Sequence, residues 1–329
     1  MYFCRIKLKP MEIGIEYWGG FIAFVILMLL LDLGVFHKKD SVTPIKSALL
    51  WSLFWISLAL AFNAGIYYLA GKTKALEFFT AYVLEKSLSV DNLFIFILIF
   101  GYFKIEPKYQ HKILFWGIIG ALLMRALFIF AGIALVSRFS WIMYLFGAFL
   151  IYTGVSMLFK NDEKEEEEFD PSKNFVVRAL RRIMPISSEK PNGNFFVRKN
   201  GTLYATTFFV ALIFIEASDI IFAVDSIPAV LSVSTDTFIV FTSNIFAILG
   251  LRSLYFALNG VIEYFYYLKY ALAGILSFIG IKMCVNEFCK HFGYDLHISN
   301  YASLAIIVGL LTISILMSVA LKRKKEKLQ

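Results

Sequence analysis

Two apolar stretches of this chain carry carboxylates near their centres, and the second stretch repeats the pattern of the first. Residues 85–92 read EKSLSVDN and residues 219–226 read DIIFAVDS. In each, an acid is followed six residues later by an aspartate and then by a small polar side chain, and Glu216 adds a fifth acid one turn before the second motif. An ionised carboxylate at the centre of a membrane helix costs roughly 2.5–3.5 kcal/mol. A bound cation is the simplest compensation for five such groups.

The candidate ligands of this cation all offer oxygen atoms. Imidazole and thiolate favour zinc or copper, but the four histidines fall in predicted loops and no cysteine lies near the motifs. Oxygen-only sites favour Mg²⁺, Ca²⁺ or Mn²⁺, so the motifs predict a hard divalent cation. A proton relay through the same acids and a purely structural hydrogen-bonded network stay open as alternatives. The predicted ligands are Glu85, Asp91, Asn92, Glu216, Asp219 and Asp225, with Ser226 and Asn244 as further neutral oxygens.

Two arginines could balance part of this negative charge. Arg125 and Arg252 begin the similar segments RALFIFAG and RSLYFALNG, each at the predicted middle of a helix. We expect them either to pair permanently with the carboxylates or to neutralise the carboxylates after the metal has left. Ser89 lies within the first motif and is predicted to line the path of the cation. Asp32, near the end of the first apolar stretch, is predicted to be a helix-end group close to water.

The helices that carry the motifs are predicted to be irregular. Pro228 has no amide hydrogen, so the carbonyl of Val224 loses its helical partner and a kink is expected at residues 224–228. In the first motif the serines and Asn92 can hydrogen-bond to the backbone and loosen the helix in a similar way. Such breaks matter because residues six apart point about 120° away from each other on a straight helix.

The composition is that of a polytopic membrane protein. Of the 329 residues 59% are hydrophobic and 17% are charged, and several apolar runs exceed the roughly 20 residues that cross a bilayer. Three scattered cysteines exclude a disulfide framework. We predict an all-α fold with about nine transmembrane helices. They lie at residues 17–36, 47–70, 77–103, 113–135, 139–159, 203–233, 237–258, 265–288 and 301–321.

The internal similarity extends beyond the acidic motifs. Residues 144–157, YLFGAFLIYTGVSM, match residues 270–283, YALAGILSFIGIKM, without a gap. Each unit then holds three helices, and this odd number makes the second unit enter the membrane from the opposite side. A duplication retained only for folding is the alternative. The predicted divisions are an N-terminal extension with two helices (1–76), the first unit (77–159), a charged cytoplasmic linker (160–202), the second unit (203–288), and a last helix with a basic tail (289–329).

The distribution of basic residues predicts the orientation. Lysine and arginine are about three times as frequent on one side of the predicted spans, so the N-terminus is expected outside and the C-terminus inside a bacterial inner membrane. The net charge of +8 therefore reports topology and not nucleic-acid binding. The first apolar run is too long for a cleaved signal peptide, and Met11 is an alternative translation start.

Several segments of the chain resemble those of a known family. The segments EKSLSVDNLF at 85–94, DIIFAVDSIPA at 219–229 and FIVFTSNIFAILGLRSLYF at 238–256 are similar to those of the TerC family of integral membrane proteins. The resemblance covers roughly residues 15–320 and places the family's acidic motifs on Glu85, Asp91, Glu216, Asp219 and Asp225. The family is named for tellurium resistance, but an oxyanion suits an acidic site poorly.

The resemblance implies manganese efflux, since the family is similar to the lysine-exporter superfamily. We therefore expect a secondary transporter that exports Mn²⁺ by alternating access, with proton influx as the plausible coupling. Its partners would be Mn²⁺, protons and the lipid bilayer. The alternative is a membrane assembly factor that delivers metal to secreted proteins at the translocation machinery. We expect no enzymatic activity and no prosthetic group, because the spans hold no nucleophile–base pair and no histidine-containing metal motif.

Overall fold

The protein is almost entirely helical over the residues that the structure describes, as the sequence predicts. This computed structural model describes residues 14–36, 44–159, 201–258, 267–294 and 297–326, with short segments between 180 and 199. Eight of its helices are long and apolar enough to cross a membrane. The elements are α1 (Ile15–Phe36), α2 (Ile45–Ala70), α3 (Lys72–Tyr102), α4 (Pro107–Arg138), α5 (Ile142–Phe159), β1 (Phe196–Lys199), β2 (Thr202–Ala205), α6 (Thr207–Leu231), α7 (Thr237–Ile248), α8 (Leu251–Leu258), α9 (Leu268–Phe292) and α10 (Asn300–Glu326).

The helix α3 is the least apolar of the long helices in the first half of the chain. It has 31 residues, enough to cross a bilayer, but Glu85, Lys86 and Asp91 near its centre lower its hydropathy. We treat it as a membrane span because its neighbours in the chain, α2 and α4, are both candidate spans. With α7 and α8 counted as one span, the nine predicted helices are all found.

The break in the helical structure lies elsewhere than predicted. The span predicted at 237–258 is divided at Leu249 and Gly250 into α7 and α8, whereas α6 runs through Pro228 and α3 runs through its serines. Both acidic helices are therefore continuous, and the kink expected at Pro228 stays a prediction. Gly250 has φ +82°, a conformation that side chains with a Cβ rarely adopt. The hydroxyl of Ser87 donates to the carbonyl of Val83 over 2.6 Å without interrupting α3.

Several helix boundaries also differ from the predictions. The sixth span was predicted to start at residue 203, but Thr202–Ala205 pairs with Phe196–Lys199 in an antiparallel hairpin and α6 begins at Thr207. The predicted linker 160–202 thus ends in a β-hairpin, and its acidic run lies outside the described residues. The span predicted at 265–288 is Leu268–Phe292.

The helices of the two predicted units pack against each other. The acidic helix α3 lies against α7, and α6, the other acidic helix, lies against α4. Helices α5 and α9 share the most extensive interface in the described part of the protein. Buried apolar side chains fill three clusters around these contacts. Charged side chains are therefore enclosed by the bundle where α3, α4, α6 and α7 meet.

Glycines bring α5 and α9 into backbone contact. A Cβ atom on Gly280 would lie 2.5 Å from the carbonyl oxygen of Gly147 and 2.9 Å from the amide nitrogen of Ile151. A Cβ atom on Gly154 would lie 2.6 Å from the carbonyl oxygen of Ala273. Small residues at such interfaces let helix backbones approach closely in a membrane. Because the obstructing atoms belong to the backbone, they have little freedom to move away.

We expect Gly280→Ala to destabilise the protein by about 1–3 kcal/mol, since the added methyl group overpacks the α5–α9 contact. Thermal unfolding in detergent, followed by helical circular dichroism, measures this loss. The matched control is Gly309→Ala in α10, where no atom lies within 4 Å of the added Cβ. The control should gain up to about 1 kcal/mol from helix propensity. Equal melting temperatures for the two variants would contradict the close packing.

Candidate cation site

Arg125 of α4 joins the two acidic motifs at the centre of the bundle. Its Nη1 donates to Glu85 Oε2 over 2.5 Å, while Nε and Nη2 donate to the carboxylate oxygens of Asp219 over 3.3 and 3.2 Å. Nη1 also lies 3.3 Å from the hydroxyl of Ser226. Glu85 and Arg125 are 0% and 1% exposed, and Asp219 is buried as well. The planar guanidinium thus uses its fork of donors on acids from two different helices.

The residues that each acidic helix contributes to this network are seven positions apart. Glu85 and Asn92 are seven apart on α3, as are Asp219 and Ser226 on α6, so each pair lies within about 20° on one helix face. Asn92 Nδ2 completes the network, 3.4 Å from Asp219 Oδ1. The small polar residue of each motif therefore shares the site with the first acid, and no helix break is required for this.

The second aspartate of each motif lies on a different face of its helix from this network. Asp225 accepts a hydrogen bond of 3.1 Å from the Thr153 hydroxyl of α5, and both Asp225 and Asp91 are half-buried. Among the residues that the structure describes, no three Asp, Glu, His or Cys side chains converge as a metal site. Ligation of one ion by all the predicted residues therefore stays a prediction that requires α3 and α6 to move.

Glu216 lies one turn before Asp219 and packs its carboxylate against Gly120 of α4. A Cβ atom on Gly120 would overlap both carboxylate oxygens of Glu216, so only glycine leaves room for them. Glu216 is half-buried and stands outside the Arg125 network. Glu216 is closer than Asp219 to the end of the bundle at which α4 and α6 begin.

Several buried polar atoms beside the network lack a hydrogen-bond partner within the described part of the chain. They include Oε1 of Glu85 and both amide atoms of Asn244. Asn244 is 1% exposed and lies on α7 next to the Glu85 carboxylate, in a contact that falls short of hydrogen-bond geometry. A buried unsatisfied polar group costs about 1–3 kcal/mol. Oxygens that are free and buried in this way suit a cation.

Lys86 is a functional candidate that the sequence analysis missed. Its ammonium donates to the carbonyl of Ala247 over 3.1 Å, in the last turn of α7 before the break. The carboxyl end of a half-helix carries partial negative charge and is a common cation position in transporters. A lysine directly beside Glu85 in an apolar segment was the available signal, because intramembrane charges are rare.

Arg252 has a different partner from the one expected of it. Its Nη2 donates to Oδ1 of Asp32 over 2.6 Å and to the backbone carbonyl of the same residue over 2.7 Å. Arg252 and Asp32 are both buried, so the expectation that Asp32 lies close to water was wrong. The reason is that α1 extends to the start of α8, where this carboxylate is enclosed. Arg125 and Arg252 therefore neutralise separate acids.

A narrow cavity lies between the two arginines. It is bounded by α3, α4, α6 and the α7–α8 break, and Ser89 and Asn92 form part of its wall. Arg125 and Asp219 line the cavity at the network, and Leu251 and Arg252 line it at the start of α8. The cavity extends from the Arg125 network toward Leu114 and Ile215, near the starts of α4 and α6.

The network is suited to exchanging one cation for another. Glu85 and Asp219 come from two different helices, and with both carboxylates ionised the group of Glu85, Asp219 and Arg125 carries one net negative charge. A divalent ion would compete with the guanidinium for the same oxygens. Carboxylate and amide oxygens are preferred by hard cations such as Mg²⁺, Ca²⁺ and Mn²⁺.

Comparison with known proteins places the chain in a family. The sequence model of the integral membrane protein TerC family matches residues 70–326. An uncharacterised membrane protein of Myxococcus xanthus is 49% identical over 93% of this chain and 92% of its own length. The "Putative membrane-bound redox modulator Alx" of Escherichia coli K12 is 43% identical over 94% and 96%. No solved structure matches. This chain therefore belongs to the TerC family of integral membrane proteins.

Proposed function

We propose that this protein exports Mn²⁺ from the cytoplasm by alternating access. The observation that carries the proposal is the position of Arg125, whose guanidinium binds one carboxylate from each acidic helix at the centre of the bundle. A cation already occupies this position, and the oxygens around it are those that a hard divalent ion prefers. Arg125 would neutralise Glu85 and Asp219 after the metal has left.

The ion would be bound when the acidic helices rearrange around it. Glu85, Asp91, Asp219 and Asp225 would supply carboxylate oxygens, Glu216 would be a further ligand or proton acceptor, and Asn92 and Ser226 would add neutral oxygens. The unpartnered Asn244 amide lies beside Glu85 and is placed to contribute as well. A rotation of α3 and α6 would be needed, because Asp225 now faces Thr153 of α5.

The helix packing supports two units related by an inverted repeat. In the matched segments Gly147 corresponds to Ala273 and Gly154 to Gly280. The contact of Gly147 with Gly280 is then equivalent to the contact of Gly154 with Ala273, as a two-fold relation requires. The packing of α3 on α7 and of α4 on α6 follows the same relation. Inverted repeats with a midplane site and a broken helix are frequent in secondary transporters.

The transport step needs an energy source. Each unit charge moved outward across an inside-negative membrane costs about 2.3 kcal/mol per 100 mV. Counter-flow of protons is the proposed source, with the N-terminus outside and the C-terminus in the cytoplasm of a bacterial inner membrane. The acids outside the Arg125 network are candidates to carry these protons.

A thiol-based redox role, which the printed name of the Alx relatives raises, has less support. Cys284 and Cys289 are unpaired and lie five residues apart on the continuous helix α9. Five residues correspond to about 7.5 Å along a helix axis, and the two side chains point about 140° apart. A disulfide between them would require α9 to unwind. Cys4 lies outside the described residues.

We expect Asp91→Asn and Asp225→Asn to abolish manganese export without loss of the protein from the membrane. Each change removes a charge but keeps the side-chain shape, and the amide oxygen that Asp225→Asn introduces could still accept from Thr153. Intracellular manganese is measured during manganese excess, with zinc, iron and calcium alongside. Wild-type protein alone should lower manganese selectively, and Thr153→Val provides a control for the lost hydrogen bond. Full export by either aspartate variant would contradict the proposed ligands.

A further inference from the structure

Helix α1 connects the two halves of the broken span. Toward its N-terminal end, Phe21 lies against Phe238 and Phe246 of α7, with ring centroids 5.9 and 6.0 Å apart. Toward its C-terminal end, Asp32 holds Arg252 of α8. The break at Gly250 lies between these two contacts. Helix α1 therefore contacts both α7 and α8 and bridges the break between them.

The break itself packs against helix α2. The ring and Cβ of Trp55 lie where a side chain on Gly250 would be placed, with Cγ 2.6 Å from the ideal Cβ position. Trp55 is 2% exposed, so this contact is inside the bundle. The family match begins at residue 70. Phe21, Asp32 and Trp55, which contact the broken span, thus precede the matched region.

The Asp32–Arg252 ion pair borders the cavity described above. Arg252 is one of the cavity's wall residues and lies beyond the break from Asn244, which is beside Glu85. Asp32 is four residues from the end of α1 and fixes the guanidinium with both its carboxylate and its backbone carbonyl. The pair therefore lies at the edge of the cavity on the side where α1 ends.

We propose that the Asp32–Arg252 ion pair is a latch that closes the cavity toward the side where α1 ends. While the pair is formed, the start of α8 is tied to α1. When the pair opens, α8 can pivot at Gly250 and the cavity opens to water. Asp32 is in this sense a positioning residue that acts through Arg252. In the orientation of the proposed function the latch faces the cytoplasm, and this role as a transport gate rests on that proposal.

Thiol accessibility tests the latch without requiring any transport. All three cysteines, Cys4, Cys284 and Cys289, are first replaced by serine, and Leu114→Cys, at 2% exposed, places one thiol in the cavity wall. Inverted and right-side-out membrane vesicles are treated with a small cationic methanethiosulfonate reagent. With Asp32 intact the thiol should react slowly. Asp32→Asn, which removes the carboxylate charge, and Arg252→Gln, which removes the guanidinium, should each raise the rate about tenfold or more in inverted vesicles only.

Two controls separate latch opening from unfolding. Asp32→Glu keeps the charge and should preserve slow labelling. A thiol introduced by Ile129→Cys, at a position that is 1% exposed and lies one turn beyond Arg125 away from the cavity, should stay unreactive in every variant. Unchanged labelling at position 114 in both Asp32→Asn and Arg252→Gln, or faster labelling from the opposite face, would overturn the latch. Manganese content of cells carrying Asp91→Asn tests the proposed function separately, so either idea can fail alone.

Discussion

Replacing Arg125 with glutamine is expected to abolish manganese export and to destabilise the folded protein by about 3–5 kcal/mol. The change leaves the carboxylates of Glu85 and Asp219 buried at the centre of the bundle without their shared cation. Removing one member of a buried ion pair is costly because the remaining charge has no compensation. Manganese content of cells during manganese excess reports the first effect, and thermal unfolding in detergent reports the second.

A triple variant separates the structural and functional parts of this result. Adding Glu85→Gln and Asp219→Asn to Arg125→Gln removes the uncompensated charges and should restore most of the melting temperature. Export should stay absent, since the proposed ligands are gone. Arg125→Lys is the matched single change, because lysine keeps the charge but lacks the fork that reaches two carboxylates. Normal export by Arg125→Gln would show that the arginine takes no part in ion exchange.

Gly250→Ala is expected to destabilise the protein by about 2–5 kcal/mol, the sum of two separate effects. The backbone angle φ +82° at Gly250 is strained for alanine, and the new methyl group would collide with Trp55 of α2. Either relaxation moves the end of α7, where Ala247 accepts from Lys86. Export should therefore fall together with the melting temperature.

The control for this substitution is Gly65→Ala in α2. Gly65 lies inside a helix, its φ is ordinary, and no atom lies within 4 Å of the added Cβ. The control should keep full export and melt at or slightly above the wild-type temperature. A Gly250→Ala protein that behaves like Gly65→Ala would show that the break tolerates a side chain and that Trp55 adapts.

The sequence predicted the membrane spans and the central acids because both depend on local composition. Runs of apolar residues must be helical in a bilayer, since no water satisfies their backbone groups. The repeated motifs likewise brought Glu85, Asn92, Asp219 and Ser226 to notice. On each helix the first acid and the small polar residue share a face because they are seven positions apart. The prediction instead relied on the spacing of six between the two acids of each motif.

The positions of the breaks could not be predicted from local sequence. Pro228 removes one hydrogen bond, and the rest of α6 keeps its bonds because water does not compete for them. The break at Gly250 instead packs against Trp55 of α2 and is flanked by contacts with Phe21 and Asp32 of α1. The partner of Arg252 was missed for the same reason, as 220 residues separate it from Asp32. Such contacts are decided by tertiary packing.

The pairing of Arg125 with Glu85 has a consequence for synthesis of the protein. Helix α3 leaves the ribosome before α4 and carries three charged residues near its centre, so its insertion alone would be costly. Glu85 and Arg125 lie in consecutive helices, and their pair can form before Asp219 has been translated. We infer that α3 enters the bilayer as a hairpin with α4. Glu85, a ligand in the proposed transport, would first serve to bring its own helix into the membrane.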